Sequence, residues 1–122
     1  KMGGSGTKDV VARNVITHSV AFGNAVVGFH QNNNQGGITL ENNVAVDNGN
    51  NFSFGGSVAS GERHTFRNNV SVDGSESISN ADSSGNDWNA SSSVFVSTNE
   101  NLAKAERHPD GSLQDNGLYK VK

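Results

Sequence analysis

Lys1, His30, Ser53 and Ser79 follow one another at intervals of 29, 23 and 26 residues. A fold that repeats at about that length sets an amine, an imidazole and two hydroxyls in one exposed row. Such groups hydrogen-bond a polar ligand, and His30, its neighbour Gln31 and Ser53 are the candidates to touch one. The other chemistry-bearing residues are less promising. His18 and His64 read as hydrogen-bonded structural residues, and no His pair has metal-ligand spacing. The stretch Gly3-Gly4-Ser5-Gly6-Thr7-Lys8-Asp9 approaches the G-G-x-G-x-D calcium repeat. Its Asp comes one place late and the motif does not recur, so it reads as a plain loop. The chain has no Cys, which excludes disulfides and thiolate metal sites.

A repeat supplies the spacing. Ile38-Thr39-Leu40-Glu41-Asn42-Asn43-Val44-Ala45-Val46-Asp47-Asn48 returns 26 positions later as His64-Thr65-Phe66-Arg67-Asn68-Asn69-Val70-Ser71-Val72-Asp73-Gly74. A fainter copy runs from Asn14 to Asn24. Periods of roughly 20 to 50 residues mark solenoids in which each unit is one stacked coil. Two short alternating strands joined at an Asn pair predict an all-β, right-handed parallel β-helix. Alternation puts Leu40, Val44 and Val46 inward and Glu41, Ala45 and Asp47 outward. Ile16/Leu40/Phe66 and Val20/Val44/Val70 become apolar columns. A third strand carries Phe29, Phe52 and Ile78 inward, with His30, Ser53 and Ser79 outward. Asn43 and Asn69 occupy the bend, where Asn tolerates the left-handed conformation and its amide can bond the next coil. Glu41 and Arg67 stack as a surface ion pair, and Asp47 stacks on Asp73. Asn-x-Ser sequons at Asn51, Asn69 and Asn89 fall in or beside coils.

Composition is consistent with a thin core. Hydrophobic residues make up 32% of the 122 residues, alongside 15 Gly and 18 Asn. So little apolar content would suit disorder, but a narrow stack with many turns needs less of it. The net charge of -3 gives no basic face for nucleic acid. No apolar run is long enough to span a membrane. Residues 1–88 are expected to form the coils and residues 89–122 an irregular C-terminal tail packing on the helix. Within the tail, a helical turn is expected at Asn99 to Glu106 and a turn at Asp110-Gly111.

The ordered series Gly28-Phe29-His30-Gln31-Asn32-Asn33-Asn34, Gly36-Gly37-Ile38-Thr39-Leu40-Glu41-Asn42-Asn43 and Phe66-Arg67-Asn68-Asn69-Val70-Ser71 resembles polysaccharide lyase family 9. These are pectate and exopolygalacturonate lyases. The likeness continues through Ser79-Asn80-Ala81-Asp82 and Trp88 to Asp110-Gly111-Ser112-Leu113. It implies calcium-assisted β-elimination on polygalacturonate or pectin by a secreted enzyme. The family's base is a Lys in a Gly-Phe-Lys-Leu-Gly-Gly stretch. Lys1-Met2-Gly3-Gly4 matches its end with Met for Leu, so the resemblance implies Lys1 as the base.

The family's calcium (Ca2+) is held by an Asp cluster upstream of that Lys. Asp9, Asp47 and Asp73 do not match it, so no metal ligand is expected within this chain. His30 stands where the family is expected to carry Asp. The chain is accordingly expected to be the C-terminal part of a longer, monomeric enzyme, truncated at its N-terminal side. Alone it would expose an uncapped coil and be inactive or nearly so. The alternative is a non-catalytic β-helix that binds carbohydrate or mediates adhesion through Ser53, Ser79 and the Asn32-Asn33-Asn34 run. A glycoside hydrolase would need paired acidic residues, and none faces outward near Lys1.

Overall fold

The computed structural model describes Met2, Gly3 and residues 10–122. Ten short strands wind into stacked coils. The first coil holds β1 (Val15–Thr17), β2 (Val20–Phe22) and β3 (Val27–His30). The second holds β4 (Thr39–Glu41), β5 (Val44–Val46) and β6 (Asn50–Phe54). The third holds β7 (His64–Arg67), β8 (Val70–Val72) and β9 (Glu76–Ile78), and β10 (Ala81–Ser84) begins a fourth. Three parallel sheets result, ordered β1-β4-β7-β10, β2-β5-β8 and β3-β6-β9. This is the expected parallel β-helix, and parallel crossovers are right-handed almost without exception.

Ile16, Leu40 and Phe66 stack in register as the alternation requires. The core cluster joins Phe29, Ile38, Leu40, Phe52, Phe54 and Phe66. Phe29 lies on Phe52 with ring centroids 5.1 Å apart, nearly parallel at 14°. Trp88 closes the far end edge-on against Phe52 and Phe66.

The second strand of each coil corrects the expected parity. Ala45, fully buried, belongs to the core cluster, while Val44, Val46 and Val72 are buried outside it. The bend is the reason. Its left-handed residue is the first of each Asn pair: Asn42 has φ 55° and Asn68 φ 52°, with His18 at φ 50° below them. The chain turns there, so Asn43 and Asn69 face inward, and strict alternation then carries Ala45 inside.

Facing inward, the second Asn of each pair builds a ladder. Asn43 donates its backbone N–H to Asn69 Oδ1 at 3.0 Å, and Asn69 donates its own to Asn86 Oδ1 at 2.9 Å. Ser19 ends the ladder by donating its N–H to Asn43 Oδ1. Each Asn Nδ2 also donates to a carbonyl of the neighbouring coil: Ile16, Leu40 and Phe66.

The third sheet corrects the expected register. Phe29 pairs with Phe52 and His30 with Ser53, but Phe52 then meets Glu76, Ser53 meets Ser77 and Phe54 meets Ile78. The column is therefore His30/Ser53/Ser77, and Ser79 stands beyond it. Gly74 causes the two-residue shift. A second ladder rises through Asn24 and Asn48, and position 74 should continue it. A Cβ there would lie 2.4 Å from the Asn51 amide. With glycine in place, Asn51 enters the gap and accepts from Asn48 N–H and Nδ2 at 3.1 and 2.8 Å. The bend shortens and β9 begins early.

The chain divides into two compact units after Ala90. In the second unit, a 3-10 turn spans Glu100–Lys104 behind an Asn99 cap. Gly111 (φ 85°) closes the expected Asp110-Gly111 turn. Phe95 and Tyr119 pack edge to face at 5.3 Å as this unit's own small core. No helix among the described residues is long and apolar enough to cross a membrane.

Candidate functional site

A polar cleft of about 120 Å³ opens at the end of the third sheet. His30, Gln31 and Ser53 all line it, joined by Asn32, Asn33, Gln35, Gly55, Gly56 and Ser57. The site residues read from the sequence thus meet in one place, with the exception of Lys1, which lies outside the described residues. So do Gly4 to Asp9 of the glycine-rich stretch. Met2 is described. Its N–H donates to the His30 carbonyl at 3.0 Å, as Gln31 N–H donates to the Ser53 carbonyl at 2.9 Å. Met2 therefore stands to His30 as Gln31 stands to Ser53.

His30 and Ser53 reach the cleft by alternation: Phe29 and Phe52 point into the core, so their successors point out. Gln31 does something else. It is 3% exposed and both its Nε2 protons are spent, on Asn34 O at 2.8 Å and Ser57 O at 2.9 Å. Its Oε1 accepts from Gly56 N–H at 3.1 Å. Gln31 is a strut that ties the two walls together from below.

Asn34 pins the same wall from its other end. Fully buried, it accepts from Ala12 and Gly36 N–H and donates to the Met2 and Ala12 carbonyls, all within 3.0 Å. The Gly55-Gly56 pair was a missed element. Its signal was a double glycine immediately after an aromatic strand, where side chains would fill the cleft.

Among the described residues no Asp, Glu, Lys or Arg lines the cleft. Among the described residues no group of three or more His, Cys, Asp or Glu could hold a metal ion. Asp47 and Asp73 occupy left-handed bend positions, both at φ 49°. The sequons at Asn51 and Asn69 are fully buried ladder members.

His64, Glu62 and Glu41 hold structural contacts. His64 is fully buried, and its Nδ1 accepts from Ile38 N–H at 3.2 Å. Burial holds it below the ordinary histidine range, so it is neutral. Glu62 takes a bidentate Arg13 guanidinium and the Gly37 N–H. The Arg13 hydrogen bonds lead in lowering its carboxyl. Glu41 and Arg67 form the expected pair at 3.0 Å.

Coils stacked in three parallel sheets, with a polar groove beside the third, define a parallel β-helix. Among solved structures the chain superimposes on pectate lyase Pel9A with a TM-score of 0.90 at 46% identity, over 94% of this chain and 30% of that one. A rhamnogalacturonan lyase gives a TM-score of 0.79 at 25% identity, over 93% of this chain and 31% of that one. Pectate lyase L of Dickeya chrysanthemi is 46% identical over 99% of this chain and 29% of its own length. No family model matches the chain. The chain spans about three tenths of the length of these relatives. It belongs to the pectate lyases of polysaccharide lyase family 9 and corresponds to one segment of their β-helix.

Proposed function

We propose that this chain is part of a secreted, monomeric pectate lyase that cleaves α-1,4-galacturonan by β-elimination, with Lys1 as the base. The observation that carries this is 46% identity to a pectate lyase across nearly the whole chain, with a shared fold at a TM-score of 0.90. The register of Met2 against His30 supports Lys1: its immediate neighbour runs beside the wall of the cleft.

In the proposed step the neutral Lys1 amine takes the proton α to the uronate carboxylate. The electron pair of that C–H bond becomes the new C=C bond, and the bond to the glycosidic oxygen breaks. The departing oxygen takes up a proton, leaving an unsaturated uronide and a shortened chain. A lysine near its ordinary pKa of about 10.4 is protonated at neutral pH and cannot act as a base. Its site must therefore disfavour the ammonium form. The resemblance assigns calcium to this enzyme, to bind and acidify the uronate. The described residues do not fit such an ion, and the resemblance implies that its ligands lie upstream of Lys1. What this chain contributes is the cleft: His30 and Ser53 hold the sugar, and Gln31 fixes the width.

The test is a chimera of Dickeya chrysanthemi pectate lyase L in which this chain replaces the homologous segment. Ultraviolet absorbance of unsaturated uronide from polygalacturonate is followed with calcium and with chelator. Calcium-dependent product that disappears in Lys1→Ala is the expected result. A folded chimera without product sinks the lyase. The second reading is then a carbohydrate-binding β-helix, which the cleft's amide and hydroxyl lining favours.

A further inference from the structure

We propose that Glu62 is a positioning residue for the sugar cleft, clamping the loop that forms one of its walls. This rests on the lyase reading above and deepens it. The wall from Gln31 to Gln35 belongs to the loop between β3 and β4, and Gly55 to Ser57 begin the loop between β6 and β7. The two loops are zipped together. At the cleft the Gln31 amide bonds Gly56 and Ser57. Further along, Ala59 N–H donates to the Gln35 carbonyl at 2.8 Å. At the end of the zip Glu62 Oε2 accepts from Gly37 N–H at 2.7 Å, and His64 Nδ1 accepts from Ile38 N–H. Of these contacts, the one through Glu62 is ionic.

Glu62 also holds the segment on the other side of the wall. Residues 10–13 bond the wall loop from the coil before it. Val10 N–H donates to the Asn33 carbonyl, Gln35 N–H to the Val10 carbonyl, and Ala12 N–H to Asn34 Oδ1. Arg13 ends that segment, and its guanidinium meets Glu62 at 2.6 Å. Glu62, in the third coil, thus reaches past the second to the first. Glycine at position 37 lets it cross: a Cβ there would lie 3.0 Å from Glu62 Oε2 and 2.5 Å from the Arg63 carbonyl oxygen. Exposed ion pairs contribute little. This carboxylate, however, has a side chain only 12% exposed and takes a backbone N–H as well as the guanidinium. Hydrogen bonds to an ionised group are the stronger kind. A wall held in shape before the sugar arrives gives up little conformational entropy on binding.

The test separates positioning from stability and from chemistry. Variants of the chimera are assayed on polygalacturonate at a temperature where circular dichroism shows each one fully folded. Glu62→Ala is expected to raise KM about fivefold, the scale of re-ordering a few loop side chains on binding, with kcat within about twofold of the parent. Glu62→Gln keeps an acceptor for Gly37 N–H and loses the charge, so its rise should be smaller, about twofold. Arg13→Met should also raise KM about twofold, and should add nothing in the Glu62→Ala background, because both act through one clamp. Binding alone is read by titrating galacturonate oligomers calorimetrically into the Lys1→Ala chimera, where Glu62→Ala should lower affinity by the same factor as it raises KM. Should Glu62→Ala fail to fold, Glu62→Gln and Arg13→Met carry the same comparison. Unchanged KM and oligomer affinity in folded variants, with product still formed, overturn the clamp and keep the lyase. Lowered oligomer affinity in a chimera that makes no product keeps the clamp and removes the lyase. A folded chimera that neither binds nor cleaves overturns both.

Discussion

Asn69 Oδ1 accepts both the backbone N–H and the side-chain Nδ2 of Asn43, at 3.0 and 3.1 Å. One buried oxygen thus serves two donors of the adjacent coil, while Asn69 Nδ2 turns back to the Leu40 carbonyl at 2.9 Å. The inside of each bend is fully buried, and the ladder satisfies its polar groups.

Asn69→Ala strands the Asn43 N–H and one proton of the Asn43 Nδ2 together. The expected loss is about 3 kcal/mol, from two buried unsatisfied groups at about 1–3 kcal/mol each. Urea unfolding measures it. Asn89→Ala, at an exposed position, is the control and should stay within about 0.5 kcal/mol.

Gly36 and Gly61 should behave differently for opposite reasons. A Cβ at Gly36 would lie 2.4 Å from the Ala12 carbonyl oxygen, which is backbone and cannot swing away. Gly36→Ala is expected to lose about 3 kcal/mol, as forced overpacking does. At Gly61 nothing lies within 4 Å, and only φ 80° resists a side chain. Gly61→Ala should lose about 1 kcal/mol. Equal losses in thermal or urea unfolding would contradict the close approach at Gly36.

Stability should fall as the pH drops below about 6.5, through His64. Its folded pKa lies below the ordinary 6.5, so the unfolded chain binds the proton more readily. The neutral-state contribution is complete above pH 6.5 and is lost as the pH falls toward the lowered folded value. His64→Phe should flatten that slope, whatever its absolute effect. Glu62 acts lower down: its folded pKa is below the ordinary 4.5, so its contribution is present above that pH and lost beneath it. Glu62→Gln should therefore lower stability above about pH 4.5 and flatten the acid limb of a stability profile.

The Glu41–Arg67 pair should contribute little despite its good distance. The two side chains are 31% and 59% exposed, and exposed pairs contribute about 0–1 kcal/mol. A double-mutant cycle with Glu41→Ala and Arg67→Ala is expected to give a coupling below about 0.5 kcal/mol that shrinks further in salt. A coupling above about 2 kcal/mol would show that the pair is shielded from solvent.

Much of this protein is legible before any fold is seen. The 26-residue return of the Asn-Asn-Val block determined the parallel coils, the Ile16/Leu40/Phe66 column, the Glu41–Arg67 pair and the adjacency of His30 and Ser53. Each is local alternation carried over a coil of 23 to 26 residues, and both are written in the residue order. What the sequence left open depends on contacts between coils. Asn42 and Asn43 look alike in a string, and only the folded bend makes one the hinge and the other the rung. That choice reversed the faces of β5. Gly74 looks like any turn glycine until Asn51 is seen filling its ladder position, which moved Ser77 into the place expected for Ser79. Gln31 reads as one more polar residue beside a site, and only the loop across the cleft turns it into a strut. Period and alternation are properties of one strand, whereas register and hydrogen-bond partners are settled by the coil stacked against it.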